Sequence, residues 1–494
     1  MSLIRVDDLT FAYPGSYDNV YDHVSFQFDT DWKLGFLGRN GRGKTTFLRL
    51  LMGQYSHGGS ISHPLPCAYF PYEVPDPSRM TLDILCAVCP AAEEWELLRE
   101  TGLLGVDAGA LYRPFDTLSS GEQTKCLLAA LFCGEERYLL IDEPTNHLDA
   151  AGRRAAAAYL RKKRGFLLVS HDRDFLDGCV DHILALNRTG VEVQSGSFSS
   201  WWENRERRNA FEQAKNDRLK GEIRRLEQSA EERRRKADAV ERAKTGISSQ
   251  GIVKHGLRPY LGEKSRKGQR QRKNMDRRAE RAIAEKSGLL KDLEKTEALK
   301  LRPLTARARL LDLTDVALFY GERKVCGPLT FRLEPGERVA LDGGNGSGKS
   351  TLLNMLQGGT EMSHTGKVTR LSGLTISWVP QDTSHLRGSL RDYARKSGVD
   401  ETLLLAILRK LDFPRVQFEK DMADWSAGQK KKALIARSLC ESAHLYIWDE
   451  PLNYIDVWSR MQIEELLLEF RPTMLFVEHD GAFRRKIATK TVEL

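Results

Sequence analysis

The sequence predicts an α/β protein in which one domain occurs twice, in tandem, with a long helical-hairpin linker between the copies. Three observations carry this reading. A glycine-rich G-x-x-x-x-G-K-[ST] pattern appears at 38–45 and again at 343–350, the intervals from each copy to its later motifs agree, and a strongly basic connector separates them. Agreement in register over so long a period is the mark of duplication.

With 494 residues, 41% of them hydrophobic, the chain is long enough for two or three domains and too apolar for wholesale disorder. Its apolar runs fall short of the ~18–20 residues a membrane-spanning helix needs. The opening MSLIRVDDLTFAYPG has no basic-then-apolar leader, so a soluble, cytoplasmic protein is expected. Eight cysteines are scattered along the chain, and Cys86 and Cys89 form a CxxC without a second pair to complete a metal site. They are expected to lie on a helix face packed in the core.

In the first half, Leu3 to Thr10 and Val24 to Phe28 read as strands around a Pro14-Gly15 turn. A buried strand at 32–37 runs into Gly38-Arg39-Asn40-Gly41-Arg42-Gly43-Lys44-Thr45-Thr46 and then an apolar helix. That context makes the pattern a phosphate loop, because glycines let backbone N–H groups converge on an anion at a helix N-terminus. Lys44 is then placed to reach terminal phosphates and the Thr45 hydroxyl to hold Mg²⁺. Ser119-Ser120-Gly121-Glu122-Gln123 opens an Ala/Leu-rich helix, and the apolar strand 138–141 ends in Asp142-Glu143. A carboxylate at such a strand end can hold the cation, and the next one can activate a water. The strand Phe166 to Val169 ends in Ser170-His171, where open parallel sheets place ligands.

The second half repeats the series. Its loop is Gly343-Gly344-Asn345-Gly346-Ser347-Gly348-Lys349-Ser350-Thr351, followed by Pro380-Gln381, Ser426-Ala427-Gly428-Gln429, Asp449-Glu450 and His479. Loop lysine to signature serine is 119 − 44 = 75 in one copy and 426 − 349 = 77 in the other, and from that serine to the acidic pair is 23 in both.

These elements, in this order, resemble the nucleotide-binding domain of the ABC ATPase superfamily, with its Walker A loop, Q-loop, signature, Walker B and switch histidine. The resemblance implies two ABC-type domains that clamp head-to-tail on two ATP molecules with Mg²⁺. One site would unite Gly38, Asn40, Gly41, Gly43, Lys44, Thr45, Thr46, Asp142, Glu143 and His171 with Ser426 and Gly428. The other would unite Gly343, Asn345, Gly346, Gly348, Lys349, Ser350, Thr351, Gln381, Asp449, Glu450 and His479 with Ser119 and Gly121. Glu143, Glu450, His171 and His479 take the catalytic roles. Thr45, Asp142, Ser350, Gln381 and Asp449 take the metal roles. Tyr13 and Tyr320 stand where the family stacks adenine. Three departures bear on this: Tyr72 replaces the first Q-loop glutamine, Trp425 replaces the signature leucine, and Pro451 to Asp456 differs from its first-half counterpart. Hydrolysis at both sites, unequal in rate, is the expectation.

The expected domains are 1–203, 204–303 and 304–494. Residues 201–300 hold 29 Lys+Arg against 17 Asp+Glu, net +12, whereas the whole chain is +8. An excess this local is the footprint of a polyanionic partner. Phe211, Leu219, Ile223 and Leu226 recur at helical spacing, and Met275, Ala279, Ile283, Leu290 and Leu293 form an answering stripe, so an antiparallel hairpin is expected. Its tip, near 245–268, is rich in glycine. Lys244, Lys254, His255, Arg258, Tyr260, Leu261, Lys264, Arg266, Lys267, Arg270, Arg272 and Lys273 are the candidates for contact with nucleic acid: cations for phosphate, the aromatic and apolar side chains for unstacked bases.

Two ABC domains in one chain with such a linker look like the ABC-F family of ribosome-acting ATPases. The details are most like its Lsa-type antibiotic-resistance branch. That resemblance implies a monomer that binds the 70S ribosome at the exit tRNA site, near P-site tRNA and 23S rRNA. There its linker tip would displace lincosamides, streptogramins A or pleuromutilins. A housekeeping translation factor of the same family and a DNA-associated ABC ATPase are the alternatives.

Overall fold

The computed structural model describes residues 2–15, 19–187, 190–246, 299–359 and 362–494. The chain divides into two compact units, Met1–Trp201 with Thr296–Leu494, and Trp202–Lys295. Both copies of the repeated domain thus belong to one unit.

Each copy is built around a parallel sheet. In the first, β3 (Lys33–Gly38), β5 (Cys67–Phe70), β6 (Tyr138–Asp142), β7 (Phe166–Val169), β8 (His182–Asn187) and β9 (Gly190–Ser195) lie in the order β5-β6-β7-β3-β8-β9. All neighbours are parallel except β8 and β9. A smaller antiparallel sheet, β1 (Leu3–Phe11), β2 (Tyr21–Asp29) and β4 (Gly58–Ser62), covers it in the order β2-β1-β4. The core lies between the two sheets and around helix α1 (Lys44–Leu51), with Ile4, Phe28, Leu34, Phe47, Leu140 and Leu167 fully or almost fully buried. β6 and β7 read as continuous apolar runs because both of their faces are covered.

The helices of the first copy are α2 (Thr81–Val88), α3 (Glu94–Leu103), α4 (Ser120–Ala130), α5 (Ala150–Arg161) and α6 (Arg173–Cys179). Cys89 is buried, but Cys86 is exposed. The CxxC therefore does not form one packed face: Cys89 caps α2, and its thiol bonds the carbonyl of Cys133.

The second copy has β10 (Leu311–Tyr320), β11 (Arg323–Leu333) and β13 (Ser363–Arg370) in its small sheet. β12 (Arg338–Asp342), β14 (Ile376–Val379), β15 (Leu445–Asp449), β16 (Met474–Val477) and β17 (Lys490–Glu493) form the parallel one. The order β14-β15-β16-β12-β17 repeats that of the first copy. Its helices include α8 (Lys349–Gln357), α9 (Leu390–Lys396), α10 (Glu401–Lys410), α11 (Ala427–Cys440), α12 (Val457–Phe470) and α13 (Gly481–Ile487). Trp425, the departure from the signature leucine, is buried edge-on against Phe413 with its indole N–H on the carbonyl of Gln417. The core absorbs that substitution.

Registers bring the chemistry to one sheet edge. Asp142 is level with Val169, and Val169 with Phe36, so the phosphate loop, the acidic pair and His171 emerge side by side. Asp449, Val477 and Leu341 stand in the same relation. This is the crevice beyond the carboxyl ends of the strands, where doubly wound sheets bind ligands.

The chain leaves the first copy through a 49-residue helix, α7 (Phe198–Gly246). Leu219, Ile223 and Leu226 are half-buried at helical spacing, whereas Phe211, counted with them from the sequence, is 70% exposed. The answering stripe from Met275 to Leu293 lies outside the described residues.

Candidate ATP sites

Both phosphate loops have the same construction. Gly43 and Gly348 cap α1 and α8 at φ 93°. Each is also packed too closely for a side chain: a Cβ would lie 2.5 Å from Val20 at Gly43, and 2.9 Å from Cys326 at Gly348. Only glycine meets both demands. Lys44 donates to the carbonyls of Gly38 and Arg39 at 2.7 and 3.3 Å, and Lys349 to those of Gly343 and Gly344 at 2.8 Å each. Burial lowers the pKa of both lysines, opposed at Lys44 by Asp456 and Glu143 and at Lys349 by Glu450 and Asp342. A terminal phosphate is the counter-charge such a lysine lacks.

The acidic pairs are held under strain. Glu143 and Glu450 adopt left-handed backbone, φ 51° and 45°, at a cost of about 1 kcal/mol or more each. Their N–H groups bond the carbonyls of Val169 and Val477, which fixes the turn. The imidazole Nε2 of His171 lies 3.4 Å from Glu143, and that of His479 lies 3.3 Å from Glu450.

Beyond this the two sites diverge. Glu450 accepts Gln381 at 2.9 Å and Asn453 at 2.6 Å. Burial pushes its carboxyl up, but His479 and Gln381 outweigh this and hold it below the usual range. Glu143 accepts the backbone N–H of His171 instead, with no such side-chain amide among the described residues, and one of its oxygens is buried without a hydrogen bond. Burial, then the Asp142 charge, pushes its pKa up to about 8. Tyr72, at the Q-loop position, reaches neither acid by a hydrogen bond. Tyr69, three residues earlier, donates its hydroxyl to Asp142 at 3.1 Å, and Thr45 donates to the same oxygen at 2.9 Å. Sequence reasoning missed Tyr69, because its counterpart by position is Trp378 and only the fold shows where its ring points. Asp449 keeps a buried oxygen without a partner, with Ser350 close by, and burial raises it to about 6. An orphaned carboxylate oxygen beside a hydroxyl suits a divalent cation that also takes phosphate and water oxygens.

Each site is completed by the other copy. A cavity of about 460 Å³ is lined by Tyr13, Asn40, Lys44, Thr45, Thr46, Asp142, Glu143 and His171 from the first and by Ser426, Gly428 and Tyr454 from the second. Asn40 donates to the carbonyl of Tyr454 at 2.7 Å. A Cβ on Gly428 would sit 2.6 Å from that carbonyl and 3.0 Å from the Asn40 amide. A second cavity, about 370 Å³, is lined by Asn345, Gly346, Gly348, Lys349, Ser350, Thr351, Gln381, Glu450 and His479, with Ser120, Asn146, His147 and Leu148 of the first copy. Ser119 and Ser426 cap α4 and α11 through capping boxes. Ser426 lines its cavity, whereas Ser119, Gly121, Gly343 and Tyr320 do not line theirs. A Cβ on Gly121 would meet the His147 carbonyl at 3.3 Å.

Of the linker candidates, Lys244 falls within α7. Lys254, His255, Arg258, Tyr260, Leu261, Lys264, Arg266, Lys267, Arg270, Arg272 and Lys273 lie outside the described residues.

The ABC transporter family model matches residues 21–146 and 326–453, together more than half the chain. The chain belongs to the ABC transporter family. Its two ABC domains are ATP-binding domains, and the protein is an ATP hydrolase. Similar proteins include the ribosome protection protein VmlR of Bacillus subtilis (strain 168), 28% identical over 96% of this chain and 84% of that protein. The energy-dependent translational throttle protein EttA of Haemophilus influenzae is 26% identical over 96% of this chain and 89% of its own. Such relatives are ABC-F proteins. Among solved structures, the archaeal ribosome recycling factor aABCE1, in complex with the ribosomal stalk protein aP1, superposes with a TM-score of 0.61 at 19% identity. It covers 98% of this chain and 87% of that one, and so shares the tandem fold. Among the described residues, no helix is long and apolar enough to cross a membrane.

Proposed function

We propose that the protein is a ribosome-binding ATPase of the ABC-F type whose ATP-closed form drives its basic linker into ribosomal RNA. The carrying observation is that each nucleotide cavity has walls from both ABC domains, so ATP between them acts as a clamp. The net +12 of residues 201–300 supplies the affinity for a polyanion. The similarity to VmlR and EttA favours the ribosome as that polyanion.

In this reading Lys44 and Lys349 hold the terminal phosphate, and Ser426 and Gly428 close the first site over it from a helix N-terminus. Ser119 and Gly121 take the same part at the second. Glu450, positioned by His479, Gln381 and Asn453, accepts a proton from the attacking water. The water oxygen bonds the γ-phosphorus and the bond to the β–γ bridging oxygen breaks, leaving ADP and inorganic phosphate. Thr45 and Asp142 at one site, and Ser350, Asp449 and Gln381 at the other, are the residues that would hold Mg²⁺, which would supply neutralising charge to the phosphate oxygens. Glu143 and His171 play the same parts at the first site, with fewer supporting bonds and a lower rate.

The closed form enters the exit tRNA site of the 70S ribosome beside P-site tRNA. There the linker tip displaces lincosamides, streptogramins A or pleuromutilins near the peptidyl-transferase centre. The test is drug susceptibility of a sensitive host expressing the protein. A raised inhibitory concentration that Glu143→Gln/Glu450→Gln abolishes is expected; unchanged susceptibility despite abundant protein overturns the drug assignment. A second reading, a housekeeping translation factor, is favoured by the similarity to EttA. It requires that a deletion strain grow poorly without drug.

A further inference from the structure

The interface between the ABC domains is asymmetric where pseudo-symmetry calls for two equal sides. α5 and α12 start from the equivalent caps Asp149 and Asp456, and four residues on from each cap an arginine bonds the cap of the next helix: Arg153 to Asp172 at 2.8 Å, Arg460 to Asp480 at 3.1 Å. By this register Glu464 corresponds to Ala157, and Arg173 to Gly481. On one side, Arg173 and Glu464 fill the interface with a buried ion pair. On the other, the small residues leave a cavity of about 450 Å³.

That cavity carries a net positive lining, five cations against Asp172 and Asp174, with Arg153 bonded to Asp172. Arg154, Arg484, Arg485 and Lys490 line it. Arg484 is paired with Asp342 at 2.6 Å and Arg485 with Asp174 at 2.7 Å; Arg154 and Lys490 are exposed and, among the described residues, have no carboxylate within ion-pair distance, Lys490 donating instead to the carbonyl of Arg332 at 3.1 Å. His479 lines both this cavity and the second ATP cavity, so the two lie on either side of one residue's neighbourhood.

We propose that this cavity is a binding site for inorganic phosphate, taking the product of the second ATP site as it leaves past His479. The proposal rests on hydrolysis at that site. At the equivalent place beside the first site stand Arg173 and Glu464. Product leaving the back of a site lets phosphate go before the clamp opens, with ADP still held.

The experiment uses full-length Glu143→Gln protein, in which the second site turns over, and compares quenched-flow ATP cleavage with phosphate appearance read by a fluorescent phosphate sensor. Arg154→Glu/Lys490→Glu reverses charge in the cavity, and Ala157→Glu/Gly481→Arg restores both halves of the plug of the opposite side; the nearest atoms to a Cβ at Gly481 belong to the flexible side chains of Asp174 and Arg485. Cleavage is expected to be unchanged, while phosphate release slows about tenfold, through lost attraction in the first variant and through the filled passage in the second. In the Glu450→Gln background the same changes leave release untouched. Release that keeps pace with cleavage in every variant, or slows equally in both backgrounds, overturns the outlet. Absence of cleavage in Glu143→Gln protein, with the cavity intact, removes the hydrolytic reading and the outlet with it.

Discussion

Arg173 of the first ABC domain holds Glu464 of the second through both carboxylate oxygens, one of them at 3.2 Å. It also lies 3.7 Å from Asp480, the residue after His479. Arg173 itself follows His171-Asp172, so one guanidinium joins the two switch loops. Glu464 is fully buried. Glu464 also accepts Lys486 at 3.1 Å, so truncating Arg173 leaves its charge only partly compensated; breaking a buried pair costs up to about 3–5 kcal/mol, whereas replacing both partners with apolar groups can be neutral. Arg173→Ala should therefore weaken ATP-driven closure strongly and Arg173→Met/Glu464→Leu far less, read by fluorescence transfer between labels on the two domains. Equal losses in both would show that the pair is not what joins them.

Gly428 and Gly121 occupy the same place in the two signatures but have different room. Gly428→Ala forces a methyl to 2.6 Å from the Tyr454 carbonyl, whereas Gly121→Ala meets the His147 carbonyl at 3.3 Å. A backbone clash of the first kind costs on the order of 1–3 kcal/mol, roughly ten- to hundredfold in closure. Trapping of labelled ATP at the first site should fall by that factor in Gly428→Ala and only slightly at the second in Gly121→Ala.

Glu450 is aligned by Gln381 and Asn453, whereas Glu143 has neither. Gln381→Ala should cut turnover of the second site about tenfold or more by loosening that alignment. Tyr72→Gln should raise turnover of the first. Single-turnover hydrolysis, measured with the other site silenced by Glu→Gln, separates the two.

Lys432 and Asp456 form a buried pair at 2.8 Å. Burial alone would raise Asp456; Lys432 and the Ser459 N–H outweigh it and hold the carboxyl far below the usual range. A depressed native pKa means the contribution is present above the unfolded value, ~3.9, and is lost as pH falls below it. Lys432→Ala should destabilise the protein by about 3–5 kcal/mol at neutral pH. The gap from wild type should narrow below about pH 4 in denaturant titrations.

The parts of this molecule that were legible in the sequence are those in which chemistry depends on near neighbours. Gly43 and Lys44 can be read because a tight turn before a helix has few solutions, and Asp142-Glu143 because an apolar strand announces its end. The duplication followed from equal intervals. What could not be read depends on contacts across hundreds of residues. Asn40 meets the Tyr454 carbonyl, and Arg173 meets Glu464, only after both domains have folded and docked. Tyr69 belongs to no motif, and only the pairing of β5 with β6 places its hydroxyl on Asp142. Phe211 kept helical spacing with its neighbours yet is exposed, because spacing does not say where a stripe stops being covered.

The most direct test of the central claim is co-sedimentation of Glu143→Gln/Glu450→Gln and wild-type protein with 70S ribosomes and ATP through a cushion. Without catalytic carboxylates the clamp stays closed, so the double variant should pellet with ribosomes while wild type, free to hydrolyse, stays largely in the supernatant. If neither pellets at low or physiological salt, the ribosome is not the polyanion that the linker's charge serves. Stimulation of the ATPase by duplex DNA would then be the next measurement.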